Sequence, residues 1–216
     1  MDLFFLRGRI RRGLADTGAD IWATDDVDEA IRQAIDEYSR TRPLHSITTL
    51  TVSAGTRELD VSAISNLLGV DRVWYPYTAV APEHPPPWRN SEYWRDAGLL
   101  YFPDEGELSA GDVVRIFYST LQTLSGLDGA TATTIPVEDE LLLIKGAAGF
   151  AATGRSVDLM EQVTHDRLMP QQVRAWGLSK LQEFRAGLNT LARRLALEGS
   201  AFVELPGLDK WDGEWS

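Results

Sequence analysis

The feature that most constrains this chain is a change of hydrophobic period at Pro43 that is reversed at Pro136. Before Pro43, the stretch TDDVDEAIRQAIDEYSRTRP places Val27, Ala30, Ile31, Ala34, Ile35 and Tyr38 on one helical stripe. Asp25, Asp26, Asp28 and Glu29 crowd the end where the helix dipole is positive, and Arg40 and Arg42 lie at the other end. Thr24 is placed to cap this helix and Pro43 to stop it. Directly afterwards SITTLTVS (46–53) alternates with period two. One element cannot carry both periods. A β segment therefore interrupts a helical chain, and the expected class is α+β, not alternating βα.

The β segment extends over residues 44–135 in this reading. SITTLTVS, the turn Ala54-Gly55-Thr56 and RELDV (57–61) read as a hairpin. VDRVWYPY (70–77), LLYF (99–102) and DVVRIFYST (112–120) are further strand candidates. PEHPPPWRN (82–90) reads as a loop, because consecutive prolines forbid helix and central strand. LSGLDGATATT (124–134) reads as a flexible connector.

Helical pattern flanks it on both sides. Leu3, Leu6, Ile10 and Leu14 define a short amphipathic helix over 2–16, interleaved with Arg7, Arg9, Arg11 and Arg12. Those arginines read as a solvated face or as a grip on an anionic partner. Pro136 opens a helix rich in small residues, with Gly146, Ala147, Ala148 and Gly149 marking close packing. Gly154 reads as its stop and Ser156 as the cap of a short helix over 157–166. Pro170 opens the longest helix, to about Glu198, where Leu181, Phe184, Leu188, Leu191 and Leu195 step by heptad spacing and Gly199 is the stop. The expected organisation is a small helical bundle from 1–43 and 136–199, one discontinuous domain, with the antiparallel β insertion 44–135 between its second and third helices. Residues 200–216 form a C-terminal docking tail.

Composition excludes several functions. The net charge is −11, and residues 44–135 carry −6 of it. Gripping a phosphate backbone needs clustered Lys and Arg, so specific DNA binding is not expected, although DNA can pass alongside. The chain has no cysteine, which removes disulfides, thiolate metal sites and cysteine nucleophiles and fits a reducing compartment. No stretch reaches the roughly 18 apolar residues of a membrane span. The N-terminal order, apolar run then arginines, is the reverse of a signal peptide.

No enzyme constellation emerges. GFAATGRS (149–156) nearly fits the phosphate-cradling loop GxxxxGK[ST], but Arg155 stands where the lysine belongs and the βαβ context is missing. His45, His84 and His165 are far apart in sequence, so no metal site is expected. No catalytic residue and no cofactor is assigned. The β segment is unusually aromatic: Trp74, Tyr75, Tyr77, Trp88, Tyr93, Trp94, Tyr101, Phe102, Phe117 and Tyr118 are ten of the chain's twenty aromatic residues. Such residues fill a sheet core, anchor a protein interface or stack a ligand such as carbohydrate. The tail LDKWDGEWS sets Trp211 and Trp215 among Asp209, Asp212 and Glu214, and indoles on a terminus call for something to dock against.

The order of landmarks resembles a known family. These are W…DxVDxAIxxAIxEY (from Trp22), VSAGTRELDVS, VWYP, GLLYF…SAGDVVRIFY, and IPVEDELLLIKGAAGFAA before a long terminal helix. This is similar to the head–tail connector, or adaptor, proteins of tailed bacteriophages and related gene-transfer particles. The resemblance implies a structural virion protein. It would be the subunit of a ring, twelve-fold in the family, between the capsid portal and the neck or tail-completion protein, extending the DNA channel and assembled in the host cytoplasm. A tail-completion or terminator protein is the alternative of the same kind. A carbohydrate-binding aromatic β module on a helical frame is the alternative of another kind. The resemblance further implies Phe202, Leu205, Leu208, Trp211 and Trp215 as anchors on the portal or a neighbouring subunit. It implies Ala147, Ala148, Phe150, Arg193 and Arg194 as the ring interface.

Overall fold

The computed structural model describes residues 1–18, 21–53, 55–80, 87–104, 107–161 and 168–200. Its elements run α1 (Leu3–Gly13), α2 (Thr24–Thr41), β1 (Leu44–Thr51), β2 (Glu58–Asp60), β3 (Leu67–Trp74), β4 (Trp88–Arg89), β5 (Glu92–Trp94), β6 (Leu99–Tyr101), β7 (Val113–Thr120), a 3-10 turn (Val137–Asp139), α3 (Glu140–Glu161) and α4 (Leu168–Ser200). Helices therefore flank two small antiparallel sheets, an α+β fold, as the two changes of period require. The chain divides into two compact units: Met1–Gly8 with Arg32–Glu140, and Arg9–Ile31 with Leu141–Ser216.

In the first unit the strands are ordered β1-β7-β3-β4 in one sheet and β2-β6-β5 in the other. The two share one core. Val73, Val114 and Ile116 of the larger sheet pack with Leu59 and Leu100 of the smaller, together with Phe102, Tyr75 and Leu108. The expected hairpin between 46–53 and 57–61 does not form. β1 pairs along its whole length with β7, Leu44 opposite Thr120, while β2 pairs with β6 in the other sheet. Burial explains the choice: pairing with β7 sets a long alternating strand against the buried Val114 and Ile116, which a short local partner cannot offer.

The proline-rich stretch also departs from expectation at one end. Trp88 and Arg89 form a short edge strand against Val73 and Trp74 of β3, a place where a preceding proline is tolerated. The segment 124–134 is not a flexible connector. Leu124 and Leu127 are buried, Gly126, Asp128 and Gly129 supply left-handed turns, and the Thr123 and Ser125 amides donate to the Thr134 and Thr133 hydroxyls. Thr133 also donates to the Met1 carbonyl, and the Leu3 amide donates to the Ser125 carbonyl. Asp128 holds Arg32 through a forked ion pair at 2.8 Å, which keeps its carboxyl below the usual range.

At the C-terminal end of α2, the Tyr38 hydroxyl donates to Asp139 Oδ2 at 2.7 Å and Arg42 Nη1 donates to the same oxygen at 2.7 Å. Burial, then the bond to Asp139, pushes the Tyr38 hydroxyl well above its ordinary pKa. Gln122 completes the cluster by donating to the Arg42 carbonyl.

In the second unit α3 runs unbroken through Gly154 to Glu161, so Gly154 is not a stop and 157–161 continues the same helix. The phosphate-loop reading of 149–156 falls with it, because that chemistry needs amides freed by a loop. Packing overrides propensity here. A Cβ on Gly149 would sit 2.9 Å from Leu181 Cγ and 3.0 Å from the Gly177 carbonyl oxygen, so α3 and α4 touch backbone to backbone. Leu181, Phe184, Leu188 and Leu191 are buried, as their spacing required. α4 begins at Leu168, two residues before Pro170, and passes through Gly199.

Thr24 does not cap α2. The first helical bond runs from the Val27 amide to the Ala23 carbonyl, and Asp26 accepts the Ala23 amide instead. The Thr24 hydroxyl accepts from Arg11. Arg11 is not on a solvated face either. It is buried and donates to Asp16 at 3.0 Å and to the Trp22 carbonyl at 2.9 Å, while Asp16 accepts the Ile21 and Trp22 amides.

Candidate functional site

The four-stranded sheet has one face on the core. On its other face the register sets Thr49, Arg115, Trp74 and Trp88 in one row, and Ile47, Phe117 and Arg72 in the next. Solvent faces of antiparallel sheets are normally polar. This one is a layer of arginines and rings. The Arg115 guanidinium lies 4.9 Å from the Tyr77 ring centre, 5.5 Å from Phe117 and 5.8 Å from Trp74. It also donates to the Tyr77 hydroxyl at 3.0 Å, which fixes its orientation. Trp88 packs edge-on to Phe117 at 5.5 Å, and Arg72 covers Trp88 at 5.5 Å.

Access differs from residue to residue on this face. Trp74 is 8% exposed and its indole N–H has no acceptor, whereas Trp88 is 44% and Ile47 53% exposed. An irregularity between Val70 and Arg72 inserts Asp71 into β3. Such bulges re-aim side chains. Asp71 meets His45 Nδ1 at 3.0 Å and the Ser119 hydroxyl at 3.4 Å. His45, Ser46, Ile47, Asp71, Arg72, Trp88 and Phe117 line a cleft of about 360 Å³. That is the small end of the roughly 300–1,000 Å³ range of ligand clefts. The chemistry on offer is flat apolar contact with guanidinium donors, the combination that dominates protein interface hot spots. A smaller exposed ring pair, Trp94 stacked on Tyr101 at 5.0 Å, lies in the other sheet.

The residues expected at a ring interface differ in exposure. Ala147 and Ala148 are 0% and 4% exposed, covered by the chain itself. Phe150 is half-buried and meets Phe184 edge-on at 6.5 Å. Arg193 and Arg194 are exposed on α4, with Arg194 3.8 Å from Glu198. Phe202, Leu205, Leu208, Trp211 and Trp215 lie outside the described residues. Sequence reasoning counted the aromatic residues of the sheet but missed its outer face. The signal was present: Val113, Arg115, Phe117 and Ser119 alternate with the buried Val114 and Ile116.

Among the described residues no group of three His, Asp or Glu side chains could hold a metal ion. No described helix is long and apolar enough to cross a membrane. Comparison with curated proteins gives no match. A family model described as SU10 adaptor protein matches residues 1–201, nearly the whole chain. An α+β chain that displays a surface of aromatic rings and arginines and matches that model over residues 1–201 belongs to the SU10 adaptor protein family: it is a structural adaptor of the phage virion neck, made to meet other head and tail proteins.

Proposed function

We propose that the protein is the subunit of a ring, of about twelve copies in analogy with similar connectors, that seats beneath the capsid portal, extends the DNA channel and offers its far side to the neck or tail-completion protein. The observation that carries this reading is the family match over residues 1–201. Charge supports it: a protein of net charge −11 repels DNA, and a channel wall must let DNA slide. A ring repeats one heterologous contact until it closes. Exposed Arg193 and Arg194, with half-buried Phe150, are the residues of the expected ring interface that still have surface to give. The tail, with Phe202, Leu205, Leu208, Trp211 and Trp215, is the arm that docks on a partner. Assembly takes place in the host cytoplasm, without membrane or cofactor.

Negative-stain electron microscopy of the purified chain with its cognate portal tests this. The expected result is an added ring on the portal. A portal that gains no density in the presence of excess chain overturns the reading in favour of a tail-completion protein, which binds the tube end instead.

A further inference from the structure

We propose that the outer face of the four-stranded sheet receives the C-terminal segment of a second copy of this chain, its carboxylates on Arg72 and an indole against Trp88 and Phe117. This deepens the docking role given to the tail and rests on it.

The receptor side is specific. Within residues 44–135, of net charge −6, the outer face carries Arg72 and Arg115, with the carboxylate of Asp71 beside them. Asp71 is engaged by His45 and Ser119. Arg115 is held in place by three rings and one hydroxyl, so it acts as a positioning residue. Arg72 is exposed and lies over the face of Trp88, which leaves its forked donors turned to solvent, where a carboxylate can meet them. The cleft beside it has one polar wall and one wall of rings.

The occupant side matches in charge and shape. LDKWDGEWS offers Asp209, Asp212 and Glu214 with one Lys, and two indoles spaced four residues apart. Carboxylates interleaved with indoles are the complement of guanidinia interleaved with rings. Length permits the reach: residues 201–216 span roughly 50 Å when extended at about 3.3 Å per residue. In a closed ring this contact would tie each subunit to another and add avidity without enlarging the ring interface.

A fluorescein-labelled LDKWDGEWS peptide titrated into the full-length protein tests this by anisotropy. Saturable binding is expected. It should weaken about tenfold or more with Arg72→Ala, and equally when Asp209, Asp212 and Glu214 of the peptide are made Asn, Asn and Gln. Unchanged binding in either case overturns the proposal. Because the chain has no cysteine, Gly213→Cys and Thr49→Cys can be introduced singly and the two proteins mixed under mild oxidation. A mixed dimer that exceeds the yield with Asp96→Cys supports the second-copy assignment. A double variant that closes only within one chain overturns it. The same peptide applied to the portal separates the two claims. Binding to the portal with none to this chain removes the sheet face as receptor and leaves the tail's docking role standing. Binding to neither removes both.

Discussion

Two regions of this molecule stand out in the sequence for the same reason, an odd local composition, and the structure uses them in opposite ways. The small-residue run of α3 is consumed inside the chain: Gly149 and Gly177 let two helices meet at their backbones, and Ala147 and Ala148 vanish from the surface. The ring-rich sheet does the reverse. Its core takes Tyr75 and Phe102 among aliphatic residues, but another part of the aromatic content, Trp88 and Phe117 with Arg72 and Arg115, remains on the outside. The difference is one of chemistry. A glycine stripe has nothing to offer a partner except proximity, which a neighbouring helix of the same chain supplies first. A guanidinium on an indole keeps donors in water and stays available.

This contrast can be broken by mutation. Phe184→Ala in the helical region should cost about 3–5 kcal/mol, because Phe184 is fully buried against Gly146 and Phe150. Urea unfolding measures it. A loss below about 1 kcal/mol would show that the helix pair is loosely packed. Gly149→Leu should cost about 3 kcal/mol, the upper end for overpacking, since its first atom already collides with Leu181 at 2.9 Å and is tight against the Gly177 carbonyl at 3.0 Å. A stabilised variant would mean that helix propensity outweighs contact there.

Between the extremes stands the buried cluster at Asp139. Tyr38 is the group to watch by pH. Its folded pKa lies above its unfolded value near 10, so the stability it contributes is complete below pH 10. Above that the unfolded state releases the proton first, and stability falls as pH rises. Tyr38→Phe should lose about 1 kcal/mol at neutral pH and show a flatter decline in alkaline denaturation. An equal slope in both proteins would remove Tyr38 as the cause. At the small end, Trp88→Ala on the open face should change stability by less than about 1 kcal/mol while abolishing partner binding. A large loss of stability would make that face part of the fold instead of a surface.

What was legible in the sequence was what local spacing controls. Every residue of the α2 stripe, from Val27 to Tyr38, is buried, and so are Leu3, Leu6, Ile10 and Leu14. What failed depended on distant partners. The choice of β7 over β2 as the partner of β1 lies in residues about seventy positions away. Gly154 reads as a stop only to an isolated helix, and α3 is not isolated. Arg11 reads as solvated because the acid, carbonyl and hydroxyl that bury it are spread over residues 16–24 with no periodic signature. For the candidate site, the alternation in β7 was readable, but the row formed with Trp74 and Trp88 exists only after three strands have paired.

That Arg11 cluster carries a consequence for the order of assembly. One guanidinium gathers three points that lie at most thirteen residues from it, whereas β1 and β7 must close a loop of at least sixty-two residues, from Thr51 to Val113. Closing the shorter loop sacrifices less chain entropy. The corner at Arg11 is therefore expected to be in place when the barrier to folding is crossed, with the sheet and its displayed face arriving later. Arg11→Ala would then slow folding, and Ile47→Ala would chiefly hasten unfolding. On that timetable the face of rings and guanidinia is completed only on a chain that has already organised its helical corner, so a nascent chain displays it last.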